Sequence, residues 1–201
     1  APWGILGAAV VAGAALRAPG RGKAAARRAF EEETGVLPPL GYFDPLGFTK
    51  DGDAADFYRR RESELKNGRV AMYATMGYIL PEYFRFPGYL SPTEDLTFAD
   101  MPNGLAAIEK VPLEGWLQIV FWCGWWEMVV NQPQNPAEPG NYYKGSFAVF
   151  WMRKMGDPEK RKRRLNAELS NGRLAMVAIL GMMMQNGITG TTGPAMWFPS
   201  S

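Results

Sequence analysis

The chain has 201 residues, enough for one domain or one small membrane bundle, and its formal net charge of +2 dictates no oppositely charged partner. A single cysteine, Cys123, excludes an intramolecular disulfide and a cysteine-based metal cluster. There is no histidine, which excludes His-ligated haem, His-based zinc sites and Ser-His-Asp catalysis.

The chain opens on WGILGAAVVAGAAL, Trp3 to Leu16, an apolar stretch of 14 residues. That is short of the roughly 20 needed for a spanning helix. The basic RAPGRGKAAARRAF follows. Residues 1–28 read either as a targeting remnant or as a surface anchor retained by the mature chain. Residues 29–201 read as one three-helix domain.

The mean hydropathy of −0.20 looks soluble, but it averages three apolar segments with basic clusters and loops. The first segment begins after Arg59-Arg60-Arg61 and runs to Phe84, its apolar part VAMYATMGYIL closed by Pro81. The second is LEGWLQIVFWCGWWEMVV, Leu113 to Val130. The third follows KRKRRLNAE and runs through LAMVAILGMMMQ to Gln185. Counting their polar helical starts, the spans are expected at about 59–84, 112–131 and 159–187. At ~1.5 Å per residue such helices cross a core of ~30 Å. The expected fold is therefore an all-α membrane protein with three transmembrane helices.

Basic residues precede the first and third spans, so both enter from the positive side and the second returns between them. The loop from Arg85 to Val111 then lies on the far side, and it holds two Lys/Arg against four Asp/Glu. Within it, Asn103 to Val111 has the pattern of a short amphipathic surface helix. A soluble helical domain using its basic runs on nucleic acid is the rival. It does not explain why Trp116, Phe121, Trp122, Trp125 and Trp126 crowd one nearly all-apolar stretch.

The first and third spans repeat each other. ELKNGRVAM, Glu64 to Met72, returns as ELSNGRLAM, Glu168 to Met176, with seven of nine positions identical at an offset of 104 residues (168 − 64). Two like helices running the same way form a parallel repeat, so the two spans are expected to cross as a pseudo-twofold pair. Gly68, Ala71 and Thr75 on one, and Gly172, Ala175 and Ala178 on the other, let the backbones approach. Glu64 and Arg69 are five apart and poorly placed to meet within one helix. Across the crossing, Glu64 meets Arg173 and Glu168 meets Arg69, which removes the cost of bare charges in an apolar medium.

Helix–helix glue accounts for those pairs but leaves carboxylate lone pairs over, and leaves Asn67 and Asn171 without a task. Oxygen ligands in an apolar site suit a hard cation such as Mg²⁺. A Mg²⁺ already held by a planar macrocycle needs one axial ligand, so one Glu or Asn per cofactor suffices. A flat macrocycle also stacks on the abundant Trp, Phe and Met side chains.

The doubled E-x-x-N-G-R-x-A-M resembles the light-harvesting chlorophyll-binding proteins of plastids. PPLGYFDPLGF, Pro38 to Phe48, is similar to that family's segment before its first helix. LPEYF and NGLAAIEKVP resemble its chlorophyll a/c branch, of fucoxanthin or peridinin type. The resemblance implies that Glu64, Asn67, Glu168 and Asn171 ligate chlorophyll Mg, although the family often has His where this chain has Asn67. It implies the same for Glu127, and makes Gln118 and Gln185 further candidates. Gln185 lies 14 residues after Asn171. At about 100° per residue that returns it to the same face. Asp44, Pro45, Leu46, Gly47 and Phe48 are expected to hold a carotenoid end-group, whereas MGDPEKRKRR departs from the counterpart before the third span.

The implied cofactors are chlorophyll a, chlorophyll c and a carotenoid of peridinin or fucoxanthin type, with diadinoxanthin and lipid as further candidates. The implied function is an antenna protein of the plastid thylakoid membrane, multi-pass, with a photosystem core and neighbouring antenna subunits as partners, no nucleic acid and no catalysis. A photoprotective member of the family, hinted at by Glu94, Asp95 and Asp100 on the far side, and a small helical transporter are the alternatives.

Overall fold

The computed structural model describes residues 30–131, 138–142 and 157–197. Its elements are helix α1 (Ala54–Tyr83), strands β1 (Tyr89–Ser91) and β2 (Leu96–Thr97), and helices α2 (Ala106–Lys110), α3 (Leu113–Trp125), α4 (Pro158–Thr189) and α5 (Pro194–Trp197). The segment 1–28 lies outside the described residues.

α1 and α4 are 30 and 32 residues long and begin alike. Asp53 accepts a hydrogen bond from the Ala55 N–H, and Asp157 one from the Glu159 N–H, each satisfying a free donor of the first turn. Pro158 occupies the first turn of α4, where its missing N–H costs nothing. α4 stops at Gly190, whose φ of 68° suits a glycine and whose N–H bonds to the Asn186 carbonyl. Pro81 closes the apolar part of α1 but not the helix. The helix continues to Tyr83, with the Phe84 N–H still reaching the Leu80 carbonyl at 2.9 Å.

α1 and α4 run the same way and pack on each other. They touch at Gly68 and Gly172, both buried, with Ala71 and Ala175 buried on the same faces. At their C-terminal ends Tyr78 of α1 and Asn186 of α4 both flank Gly104. Among the described residues α3 stands apart, with no Cα of it within 8 Å of a Cα in α1 or α4. It has no buried residue, and it widens into a π-helical turn at Trp126–Val130. Such turns recur at functional sites.

The loop from Arg85 to Val111 departs from the all-helical expectation. β1 and β2 pair antiparallel, around a turn in which Asp95 takes a φ of 52°, a conformation Asp tolerates better than most residues. Arg85 fastens this loop, donating to the carbonyls of Phe98, Ala99 and Met101 and to Asn103 Oδ1. α2 is the expected surface helix, though only five residues long.

No helix among the described residues is long and apolar enough to cross a membrane by its hydropathy. Length is not the shortfall in α1 and α4, which at ~1.5 Å per residue reach about 45 Å. Their polar N-terminal halves lower the average, and the apolar C-terminal halves are largely exposed. Tyr73 and Ile188 are 77% and 82% exposed.

Candidate functional site

The site is built where α1 and α4 cross. Arg173 Nε donates to Glu64 Oε1 at 2.7 Å, and Arg69 Nε donates to Glu168 Oε1 at 2.6 Å. Advancing Glu64 by the 104-residue offset gives Glu168, and reducing Arg173 by it gives Arg69, so the repeat exchanges the two pairs. Both expected ion pairs are present.

Each arginine also reaches a loop that precedes a helix. Arg173 Nη1 donates to the Gly35 carbonyl at 2.8 Å, and Arg69 Nη1 to the Gly140 carbonyl at 3.0 Å. Both glycines have positive φ, 89° and 82°, and a Cβ on either would crowd an arginine and a leucine of the crossing. The same symmetry tethers the loops elsewhere. Asn166 accepts from the Gly35 N–H at 2.7 Å, and its repeat partner Glu62 accepts from the Tyr142 hydroxyl at 3.2 Å. Tyr142 is 3% exposed, beneath Lys66 and Arg69, and its phenol pKa is pushed up by burial and by the Glu62 carboxylate. A counterpart to the first pre-helix loop thus exists at Gly140–Tyr142, where the sequence shows no matching motif.

The symmetry is broken at Arg61. Arg61 Nη1 donates to Glu64 Oε2 at 2.6 Å, and Arg61 is itself buried against the Phe57 ring. The repeat position of Arg61 is Leu165. Among the described residues no hydrogen bond reaches Glu168 Oε2.

The other expected residues fall as follows. Asn171 donates Nδ2 to the Ala167 carbonyl at 2.9 Å, which leaves Oδ1 unspent on the exposed face of α4. Asn67 lies exposed on α1. Gln185 is half-buried near the end of α4, beside buried Asn186, which accepts from the Leu105 N–H and donates to the Thr191 carbonyl. Glu127 has two protein partners: Lys66 Nζ on Oε1 and Asn131 Nδ2 on Oε2. The Lys66–Glu127 pair bridges α1 and the π turn. Gln118 lines a cleft of about 700 Å³ between the hairpin and α3, with Ile119 and Trp122.

Asp44 is turned into its own loop. Its carboxylate accepts from the N–H groups of Phe48 and Thr49 and from the Thr49 hydroxyl. Burial raises its pKa, but those hydrogen bonds outweigh it and hold the carboxyl below its usual range. The loop frames a groove of about 600 Å³ whose apolar wall includes Leu37, Leu40, Phe43, Phe48 and Phe57.

These features fit Mg-centred macrocycles and carotenoids. Among the described residues, Glu168 Oε2 and Asn171 Oδ1 are oxygen atoms left over by the protein's own bonding. Val70, Leu174, Val177 and Leu180 stay exposed around the crossing. An apolar surface of that extent calls for a nonaqueous neighbour.

Residues 30–187 match the model of the chlorophyll A-B binding protein family. The chain belongs to that family. It is 40% identical over 183 residues to the fucoxanthin-chlorophyll a-c binding protein F of Macrocystis pyrifera, covering 90% of this chain and 86% of the relative. Protein E of the same organism is 40% identical, over 90% of this chain and 85% of the relative. Fucoxanthin-chlorophyll a-c binding protein D of Phaeodactylum tricornutum is 38% identical over 184 residues, 88% of this chain and 91% of the relative. The resemblance carried by the doubled motif is thereby established, and the chain is a chlorophyll-binding light-harvesting antenna protein.

Proposed function

We propose that this antenna protein holds chlorophyll a, chlorophyll c and fucoxanthin in the plastid thylakoid membrane and serves a photosystem. The pigment assignment follows the names of its relatives. Bound pigments supply light absorption and the relay of excitation. The protein's residues supply fixed positions, and the observation that carries this reading is the separation of α3 from the crossed pair. Among the described residues no Cα of α3 lies within 8 Å of a Cα in α1 or α4, and the π turn after it meets α1 through the Lys66–Glu127 ion pair, which supports pigments lying between them.

In this reading Glu64, Asn67, Glu127, Glu168 and Asn171 would hold chlorophyll Mg, with Gln118 and Gln185 as further ligands. Arg69 and Arg173 orient the two crossing glutamates and fix them to the pre-helix loops. The groove behind Asp44–Phe48 takes a carotenoid end-group, its apolar wall excluding water and Asp44 holding the turn.

α1, α3 with its π turn, and α4 cross the bilayer. The pairing of Glu64, Arg69, Glu168 and Arg173 supports this, because charges joined in pairs do not face lipid singly. Trp122, Trp125 and Trp126 cluster on α3, with ring centroids 5.3–6.3 Å apart. Such amphipathic rings suit the headgroup region.

Refolding the full chain with a fucoxanthin, chlorophyll a and chlorophyll c extract tests the ligand set. Glu64→Ala, Asn171→Ala and Glu127→Ala are each expected to lose chlorophyll relative to the parent. An unchanged pigment ratio in all three would reject it.

A further inference from the structure

The two crossing glutamates are equally exposed, their side chains at 27% each, so solvent does not distinguish them. Their charge partners do. Glu64 spends both oxygens, Oε1 on Arg173 at 2.7 Å and Oε2 on Arg61 at 2.6 Å. Among the described residues Glu168 spends only Oε1, on Arg69 at 2.6 Å. One carboxylate faces two guanidiniums, the other faces one.

Arg61 is not a free surface cation that happens to lie near. It is 7% exposed, its guanidinium carbon sits 5.2 Å from the Phe57 ring centroid, and a Cβ on Gly35 would come within 3.1 Å of its Nη1. A planar guanidinium so confined keeps a fixed hydrogen bond on Oε2. The repeat offers no such group on the other side, because Leu165 stands there.

We infer that Arg61 makes the two pseudo-equivalent ligand sites unequal, by drawing on the Glu64 oxygen that Glu168 leaves free. This rests on reading both glutamates as chlorophyll ligands. A carboxylate whose two oxygens both receive charge-assisted hydrogen bonds is a poorer donor to a metal than one with a free oxygen. Glu64 is therefore the weaker ligand of the two. Arg61 is a positioning residue that tells two copies of one motif apart.

The test uses the full chain carrying its pigments, in rising dodecyl maltoside, with chlorophyll per chain counted by extraction and the red absorption band recorded. Glu64→Ala and Glu168→Ala first assign which chlorophyll belongs to which site. In the parent, the Glu64 chlorophyll should leave first. Arg61→Leu should remove that difference and move the Glu64-assigned band toward the Glu168-assigned one. Arg61→Lys, which keeps the charge, should hold the band. Leu165→Arg should make the Glu168 chlorophyll the more easily lost, and it reports independently should Arg61→Leu fail to assemble. If neither alanine variant loses chlorophyll, the ligand reading itself fails. If both lose one, and neither Arg61→Leu nor Leu165→Arg alters the order of loss or the bands, the role given to Arg61 is overturned.

Discussion

Gly68 of α1 and Gly172 of α4 meet so closely that a Cβ added to either would sit 3.0 Å from the other's Cα. The crossing is a backbone-to-backbone contact, and the four charged residues of the two ion pairs are arranged around it. Small residues at a helix contact allow that approach in a membrane.

Gly68→Ala sets two effects against each other. Alanine gains about 1 kcal/mol of helix propensity. Overpacking a tight contact costs about 1–3 kcal/mol. The opposing atom is backbone and cannot turn aside, so the cost should win. Thermal melting of the pigment-loaded protein by circular dichroism is expected to show a lower Tm, and a further drop in Gly68→Ala/Gly172→Ala.

Arg69→Leu removes the partner of Glu168 and the donor to the Gly140 carbonyl together. Breaking a buried pair costs about 3–5 kcal/mol. With side chains 28% and 27% exposed, the lower end is expected. Chlorophyll should be lost along with stability. The double variant Arg69→Leu/Glu168→Leu should be more stable than Arg69→Leu alone, because no carboxylate is left unpaired. Urea or thermal unfolding of these two variants, of Glu168→Leu and of the parent measures this coupling.

Tyr142→Phe deletes only the hydroxyl that reaches Glu62. The ring remains beneath Lys66 and Arg69. A loss near 1 kcal/mol is expected. Hydrogen exchange should show the Gly140–Tyr142 loop opening before the crossing does.

Acid should release the Asp44 loop. The carboxyl is held below its unfolded value of 3.8, so its contribution to stability is present above that value and lost as pH falls through the lower folded value. The Phe48 and Thr49 amides should therefore stay protected from neutral pH down to about pH 4 and lose that protection below it. In Asp44→Asn, protection of those amides should be weaker at neutral pH and should no longer fall with acid. Hydrogen exchange across that range reads both.

Much of this was legible because the chain says the same thing twice. The repeat and its offset placed the helix pair, the glycine contact and both ion pairs, since a charge in an apolar helix must find its partner at the symmetric position. What escaped is what breaks or extends the symmetry. Arg61 reads as one of three consecutive arginines, and nothing local distinguishes the one that turns inward. Gly140 and Tyr142 lie in a polar loop whose sequence departs from the first loop, yet they meet the helices in the same way. Asn186 sits beside Gln185, and only the returning loop at Leu105 reveals which of the two is spent on structure. The Lys66–Glu127 bridge joins residues 61 positions apart, beyond the reach of any periodicity. The β1–β2 hairpin is too short to show alternation.

The central claim is that this chain holds several kinds of pigment in one energy-transferring array. The most direct measurement is the fluorescence excitation spectrum of the gently solubilised, purified protein, detected at red chlorophyll a emission. Excitation bands from both chlorophyll c and fucoxanthin are predicted. Bands from chlorophyll a alone, or a folded but colourless protein, would contradict it.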